Sequence, residues 1–247
     1  MNDRFIKEIK INWDKIDEDS YLRNISALQN VNKVLFNNNI TFFVGENGTG
    51  KSTFLEGIAV AYGFNAEGGT KNYRFSTYES HSELHEAISV VKGYRRPKSN
   101  YFLRAESFYN VASKAEEYRD DEPLEIYYSK YGGKSLHQQS HGESFLSLIQ
   151  ATFSDNGIYI LDEPEAALSP QRQLTLLMEI KRLSEQGSQF IIASHSPILL
   201  GVPGAEILSF DDGEIHTCDY LETESYQVME MFINNRKYFL ERLLSDE

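Results

Sequence analysis

An α/β fold with a mixed, mainly parallel sheet flanked by helices and an N-terminal antiparallel β portion follows from three features of this 247-residue chain. The first is the octapeptide Gly45 to Ser52, Gly-Glu-Asn-Gly-Thr-Gly-Lys-Ser, set between an apolar run and a helix-like segment. The second is a pair of short continuous apolar runs, Gly157 to Leu161 and Phe190 to Ala193, the pattern of strands buried on both faces. The third is the polar–apolar alternation of Phe5 to Ile11, which belongs to a half-exposed antiparallel strand.

Taken along the chain, Phe5 to Ile11 reads as an edge strand, with Phe5, Ile6, Ile9 and Ile11 as its apolar positions. Asp14 to Lys33 is a polar connection, and Asn37-Asn38-Asn39 turns the chain into the strand Ile40 to Val44. A helix is expected over Thr53 to Tyr62. Phe64 to Asn100, with Gly68-Gly69 and many serines, reads as a mobile subregion carrying a short helical pattern around Leu84 to Val91. Tyr101 to Arg104 is expected as a strand, Asn110 to Arg119 as a charged helix and Leu124 to Tyr128 as a short strand. Lys130 to Ser140 is a polar stretch containing glycine. Ser144 to Phe153 has helical spacing through Phe145, Leu148 and Ile149, and Pro170 to Gln186 is an amphipathic helix ending near Gly187. Asp211-Asp212-Gly213 between Ala205 to Phe210 and Glu214 to Thr217 signals a hairpin. Glu222 to Leu244 places Met229, Phe232, Ile233, Phe239, Leu240 and Leu243 on one helical face. A single domain over residues 1–247 is expected.

Composition narrows the function. Hydrophobic residues make up 40% of the chain and aromatics 13%, enough for a substantial core. No stretch approaches the roughly 18 consecutive apolar residues that cross a bilayer, so direct membrane insertion is not expected. The first residues lack an apolar signal region. A single cysteine, Cys218, rules out an internal disulfide framework, suits the cytoplasm and reads as a packing residue. The net charge of −13, from 24 basic and 37 acidic residues, disfavours broad non-specific binding to nucleic acid. Lys92-Gly-Tyr-Arg-Arg-Pro-Lys98, with Tyr94 interleaved, is the best candidate for a local basic face, and it reads as a solvated loop.

Gly45 to Ser52 fits the phosphate-loop pattern G-x-x-x-x-G-K-[ST], and its strand–loop–helix context supports the match. Glycines let successive backbone N–H groups turn inward around anionic oxygens, and the positive end of the next helix faces the same point. Asn47, Gly48, Thr49, Gly50, Lys51, Ser52 and Thr53 are therefore expected to hold the phosphates of a nucleoside triphosphate. Lys51 supplies a point charge for the outer phosphates and the Ser52 hydroxyl a ligand for Mg²⁺. Ile158 to Leu161 then ends in Asp162-Glu163-Pro164. Ends of parallel strands are where such sheets place ligand chemistry. Asp162 is expected to hold Mg²⁺, and Glu163 to polarise the attacking water as general base. His81, His85, His137 and His216 show no metal-ligand spacing and read as surface or packing residues.

Gln139-Ser-His-Gly-Glu143 upstream of Asp162, and His195 after the strand Phe190-Ile-Ile-Ala-Ser194, complete a set that resembles the ABC-type ATPases, a branch of the P-loop NTPases. The resemblance runs from about Phe5 to about Phe210. Ser140, Gly142 and Glu143 match the signature motif in its Glu-ending version, seen in SMC and RecF-like heads. His141 and Gln139 depart from it, and His141 is left between phosphate contact and simple exposure. Ala166-Ala-Leu-Ser169 matches the D-loop, with Ser169 in place of its aspartate. Arg104-Ala-Glu106 stands where the Q-loop glutamine is expected; either Glu106 substitutes for it or the strand is aligned differently. The resemblance implies ATP and Mg²⁺ as ligands and a head-to-tail, ATP-dependent homodimer. Ser140, Gly142 and Glu143 of one copy would complete the nucleotide site of the other, with His195 contacting the γ-phosphate.

Three functions fit this set. The first is a soluble ATPase whose dimer is gated by nucleotide, acting in DNA repair or phage defence with an effector protein or nucleic acid as partner. The second is the nucleotide-binding subunit of a transporter with a separate membrane chain; the missing Q-loop glutamine weighs against it. The third is a non-hydrolytic nucleotide-sensing module, against which Glu163 and His195 weigh.

Overall fold

The computed structural model describes residues 4–71, 82–105, 108, 113, 123, 128, 129, 131 and 133–244. Its strands are β1 (Ile6–Ile11), β2 (Lys33–Leu35), β3 (Ile40–Val44), β4 (Ile88–Lys92), β5 (Ser99–Arg104), β6 (Gly157–Asp162), β7 (Gln189–Ala193), β8 (Glu206–Ser209) and β9 (His216–Thr217). The helices are α1 (Lys51–Tyr62), α2 (Leu84–Ala87), α3 (His141–Thr152), α4 (Pro170–Glu185), α5 (Pro197–Leu200), α6 (Glu224–Asn234) and α7 (Arg236–Leu244). The helix read over Asn110 to Arg119 and the strand over Leu124 to Tyr128 lie outside the described residues, apart from Ser113 and Tyr128. So do Glu106, His81 and residues 72–81 of the subregion Phe64 to Asn100.

The main sheet has the order β5-β6-β7-β3-β8-β9, parallel except for β9, which closes the Asp211–Gly213 hairpin onto β8. A three-stranded antiparallel sheet, β2-β1-β4, covers one side. This is the mixed, mainly parallel α/β architecture with an antiparallel N-terminal portion that the sequence predicts.

Period-two alternation sorts the buried strands onto two cores. Phe43, Ile158, Ile160 and Ile191 face α1 and the antiparallel sheet. Phe42, Tyr159, Leu161, Phe190 and Ile192 face α3 and α4. Gln189, 1% exposed, joins the two sheets: its Oε1 accepts from the Ile6 N–H and its Nε2 donates to the Ile6 carbonyl, each at 2.8 Å. A buried amide satisfied on both ends fixes the crossing of β1 over β7.

Three local expectations are corrected. β1 is the centre of its sheet rather than an edge, paired with β2 on one side and β4 on the other. Alternation reports which face is buried and carries no information about how many neighbours a strand has. The helical pattern around Leu84 to Val91 is helix only to Ala87. Ile88, Val90 and Val91 are β-branched and join β1 instead. The C-terminal segment breaks at Asn235 into α6 and α7, whose Phe232 and Phe239 rings meet edge to face at 6.0 Å.

Candidate functional site

The C-terminal ends of β3, β6 and β7 stand side by side, and each is followed by a residue set expected to act on nucleotide. From β3 the chain enters the loop through Gly45 at φ 135° and passes Gly48 at φ 87° and Gly50 at φ 96°, backbone that a side chain would strain. At Gly45 the approach is also close, since an added Cβ would lie 2.8 Å from Asp211 Oδ1. Asp211 in turn accepts the Glu46 N–H at 2.9 Å, and the Thr49 hydroxyl donates to the Glu46 carbonyl at 2.9 Å. Helix α1 then begins at Lys51, two residues before the predicted start, so Lys51, Ser52 and Thr53 form its first turn.

Lys51 is buried, and its ammonium donates to the carbonyls of Gly45 at 2.6 Å and Glu46 at 2.7 Å. Burial pushes its pKa down, while Asp211, Glu163, Asp162 and Glu165 push it up. The Ser52 hydroxyl donates to Asp162 Oδ1 at 2.9 Å. This hydroxyl and carboxylate are hard oxygen donors meeting beside a ring of acids, a set suited to Mg²⁺.

Glu163 follows Asp162 in the left-handed region at φ 47° and ψ 52°, uncommon for a residue with a side chain. Its half-exposed carboxylate reaches to 4.0 Å from His195 Nε2. The His195 N–H donates to Glu165 Oε1 at 2.5 Å, which fixes the backbone of the residue after β7. Burial, with Lys51 nearby, pushes the His195 imidazole below its ordinary value of 6.5. Burial raises the Glu165 carboxyl.

The two shifts have opposite consequences for stability. A histidine held low in the fold contributes fully above about pH 6.5, and that share is lost as pH falls towards the folded midpoint. A carboxyl held high costs stability as pH rises past its ordinary value of 4.5. A proton NMR titration of the His195 ring is therefore expected to give a midpoint below 6.5; one at or above it would contradict the buried environment described here.

Ser140, Gly142 and Glu143 gather at the N-terminus of α3 around Arg172 of α4. The Ser140 N–H and hydroxyl donate to Glu143 Oε2 at 3.1 and 2.7 Å, and Arg172 donates to Glu143 Oε1 at 3.1 Å. At Gly142 a Cβ would lie 2.6 Å from Arg172 Nη1 and 2.9 Å from the Ala167 carbonyl, so the position is closed to larger residues. His141 meets the Phe108 ring at 5.8 Å. The basic cluster is mostly engaged as well: Lys92 lies over Tyr62, Arg95 over Phe5, and Lys98 pairs with Asp155 at 3.0 Å. Burial, then Glu222 and Asp219, raise the Cys218 thiol, which argues against a nucleophilic role.

Several residues at the site escape sequence reasoning. Asp211 was legible only as part of a hairpin, and Glu165 and Arg172 carried no signal. Arg104 stands opposite Asp162 in the β5–β6 register with its Nε 3.8 Å from Asp162 Oδ2. It donates to Glu56 Oε2 of α1 at 2.6 Å. Helix α6 also borders the site: a cleft of about 380 Å³ runs from Gly45, His195 and Asp211 to Glu224 and Met229.

A family model described as an AAA domain matches residues 21–192. The chain belongs to that family. Curated relatives described as ABC transporter and sugar-import ATP-binding proteins match most of its length. An uncharacterized ABC transporter ATP-binding protein of Haemophilus influenzae is 26% identical over 214 residues, covering 75% of each chain. A xylose import ATP-binding protein of Thermoanaerobacter pseudethanolicus is 27% identical over 186 residues, 69% of this AAA domain chain and 36% of that protein. Among solved structures, the SMC head domain from Thermotoga maritima aligns at a TM-score of 0.45 and 15% identity, over 87% of this chain and 98% of that one. No helix among the described residues is long and apolar enough to cross a membrane.

Proposed function

We propose that this chain binds Mg·ATP at Gly45–Ser52 and hydrolyses it, with the nucleotide bridging two copies of the chain. The observation that carries the reading is the 2.9 Å bond from Ser52 to Asp162, which joins the phosphate loop to the acid at the end of β6 beside Lys51. Asn47, Gly48, Thr49, Gly50 and Thr53 line the phosphates with backbone and hydroxyl donors at the positive end of α1. Lys51 leaves the carbonyls of Gly45 and Glu46 to neutralise the outer phosphates. Ser52 and Asp162 would hold Mg²⁺, which supplies charge neutralisation on the transferring phosphoryl group. Glu163, turned off the strand end by its left-handed backbone, takes the proton of the attacking water. His195, biased towards its neutral form, offers a ring N–H to the γ-phosphate.

Ser140, Gly142 and Glu143 cluster around Arg172, and a second copy presenting that helix N-terminus would add the donors that the γ-phosphate lacks in one chain. Hydrolysis removes the bridging phosphate and loosens the pair. Work in DNA repair or phage defence, with an effector protein or nucleic acid as partner, fits such a switch, as does a cytoplasmic location. The import ATP-binding proteins among the relatives favour a second reading, a subunit that energises a separate membrane chain.

The test is direct. Purified chain with Mg·ATP is expected to release phosphate and to shift towards dimer in multi-angle light scattering, whereas omission of Mg²⁺ abolishes release. Absence of turnover across protein concentrations would overturn the hydrolytic reading.

A further inference from the structure

Among the described residues Arg104 is shared by two carboxylates, and the sharing is unequal. Its Nη1 donates to Glu56 Oε2 at 2.6 Å and to the Ala66 carbonyl at 3.3 Å, while its Nε stays 3.8 Å from Asp162 Oδ2, outside hydrogen-bond range. Ser52 and Glu56 lie four residues apart on α1 and so share one face of the helix. That face lies against the cross-strand pair Arg104 and Asp162, Ser52 meeting the aspartate and Glu56 the arginine. Glu56 is itself clamped. Its second oxygen accepts the Ser82 N–H at 3.0 Å, just before α2 and β4 of the antiparallel sheet. All three side chains are largely buried, at 19%, 11% and 8% exposure for Arg104, Glu56 and Asp162.

A guanidinium stays protonated in proteins, so it cannot leave Asp162 by losing its charge. It can only be drawn elsewhere. A divalent cation on Asp162 competes with whatever positive charge already faces that carboxylate, and at about 4 Å in a partly buried site this repulsion changes affinity by on the order of tenfold or more. We infer that Glu56 is a positioning residue that draws the Arg104 guanidinium off Asp162 and so sets how tightly Asp162 binds a divalent cation. The inference rests on Asp162 being the Mg²⁺ carboxylate. It also ties the metal site to the antiparallel sheet, because Ser82 holds Glu56 in place.

Mn²⁺ serves as the probe, its dissociation constant measured by electron paramagnetic resonance on the whole chain with ADP present. In Glu56→Gln, Arg104 swings fully onto Asp162 and Mn²⁺ is expected to bind about tenfold more weakly. In the double variant Glu56→Gln with Arg104→Gln the competing charge is gone, and Mn²⁺ should bind at least as tightly as in wild type. A merely structural role would weaken both variants alike. Unchanged affinity in Glu56→Gln, or weaker-than-wild-type binding in the folded double variant, overturns the proposal. The double variant removes the buried ion pair as a unit, so it serves as a test even where the single variant fails to fold. Asp162→Asn separates the two readings: undiminished Mn²⁺ binding there overturns the assignment of Asp162 itself.

Discussion

Glu163→Gln is expected to bind ATP and to turn it over roughly 10²–10⁴-fold more slowly than wild type, the range that a positioned general base contributes. The amide keeps the shape of the carboxylate and cannot take a proton from water. Little else depends on that charge in the fold. The side chain is 46% exposed and its approach to His195 Nε2 is 4.0 Å, so no buried ion pair is lost. The left-handed backbone at residue 163 costs glutamine much what it costs glutamate. Phosphate release measures the chemical step, and a sizing column in Mg·ATP measures assembly. Trapped ATP should hold the variant as a dimer. If ATP leaves it monomeric, the arrangement in which Ser140 and Gly142 of a second copy complete the site is wrong. Turnover within tenfold of wild type would remove Glu163 from the role of base.

Lys51→Ala is expected to lose nucleotide binding. The ammonium makes two charge-assisted hydrogen bonds to loop carbonyls and sits among Asp211, Glu163, Asp162 and Glu165. Such bonds are worth about 1.5–3 kcal/mol each. Two redirected to phosphate oxygens therefore account for at least ~100-fold in affinity, at tenfold per 1.4 kcal/mol. Without the lysine the acids around the loop face a triphosphate with one less opposing charge. Titration with a fluorescent ADP analogue reads the effect, and circular dichroism shows whether α1 persists, as alanine at a helix start should allow. Affinity within tenfold of wild type would undercut the phosphate-loop assignment.

How much of this was readable from the residues depends on how local each feature is. The geometry of the Gly45–Ser52 loop was legible, because the proposed phosphate contact needs one unbroken stretch of backbone: glycines at fixed offsets, then a lysine and a serine on the first turn of a helix. Asp162 and Glu163 were legible for a related reason, since an apolar run ending in acids marks a strand end. The start of α1 was misjudged by two residues, because Lys51 and Ser52 belong to the glycine-rich loop motif and to the helical backbone together. The helical pattern over Leu84 to Val91 misled because five apolar residues in eight satisfy both periods. Pairing with β1 settled it.

Arg104 shows where local reading stops. In the sequence it stood out only as a poor fit to a glutamine position. Its meaning comes from the β5–β6 register, which sets it opposite Asp162, and from α1 crossing that pair with Ser52 and Glu56 on the same face. Arg172 is a similar case: nothing in Pro170 to Gln186 marks it, yet it orients Glu143 from the neighbouring helix. Both are counter-ions, and a counter-ion is selected by distance in space.

The order of residues was therefore enough to specify the α/β class, the glycine-rich loop ahead of α1, the acids at the end of β6 and the likeness to ATP-binding proteins. Each of these rests on backbone conformation and side-chain period over a few consecutive residues. The centrality of β1, the cleft against α6 and the Ser52–Asp162–Arg104–Glu56 chain of polar contacts came from packing. They depend on which strands lie side by side and in what register, a choice made by burial of two whole hydrophobic cores rather than by any short segment.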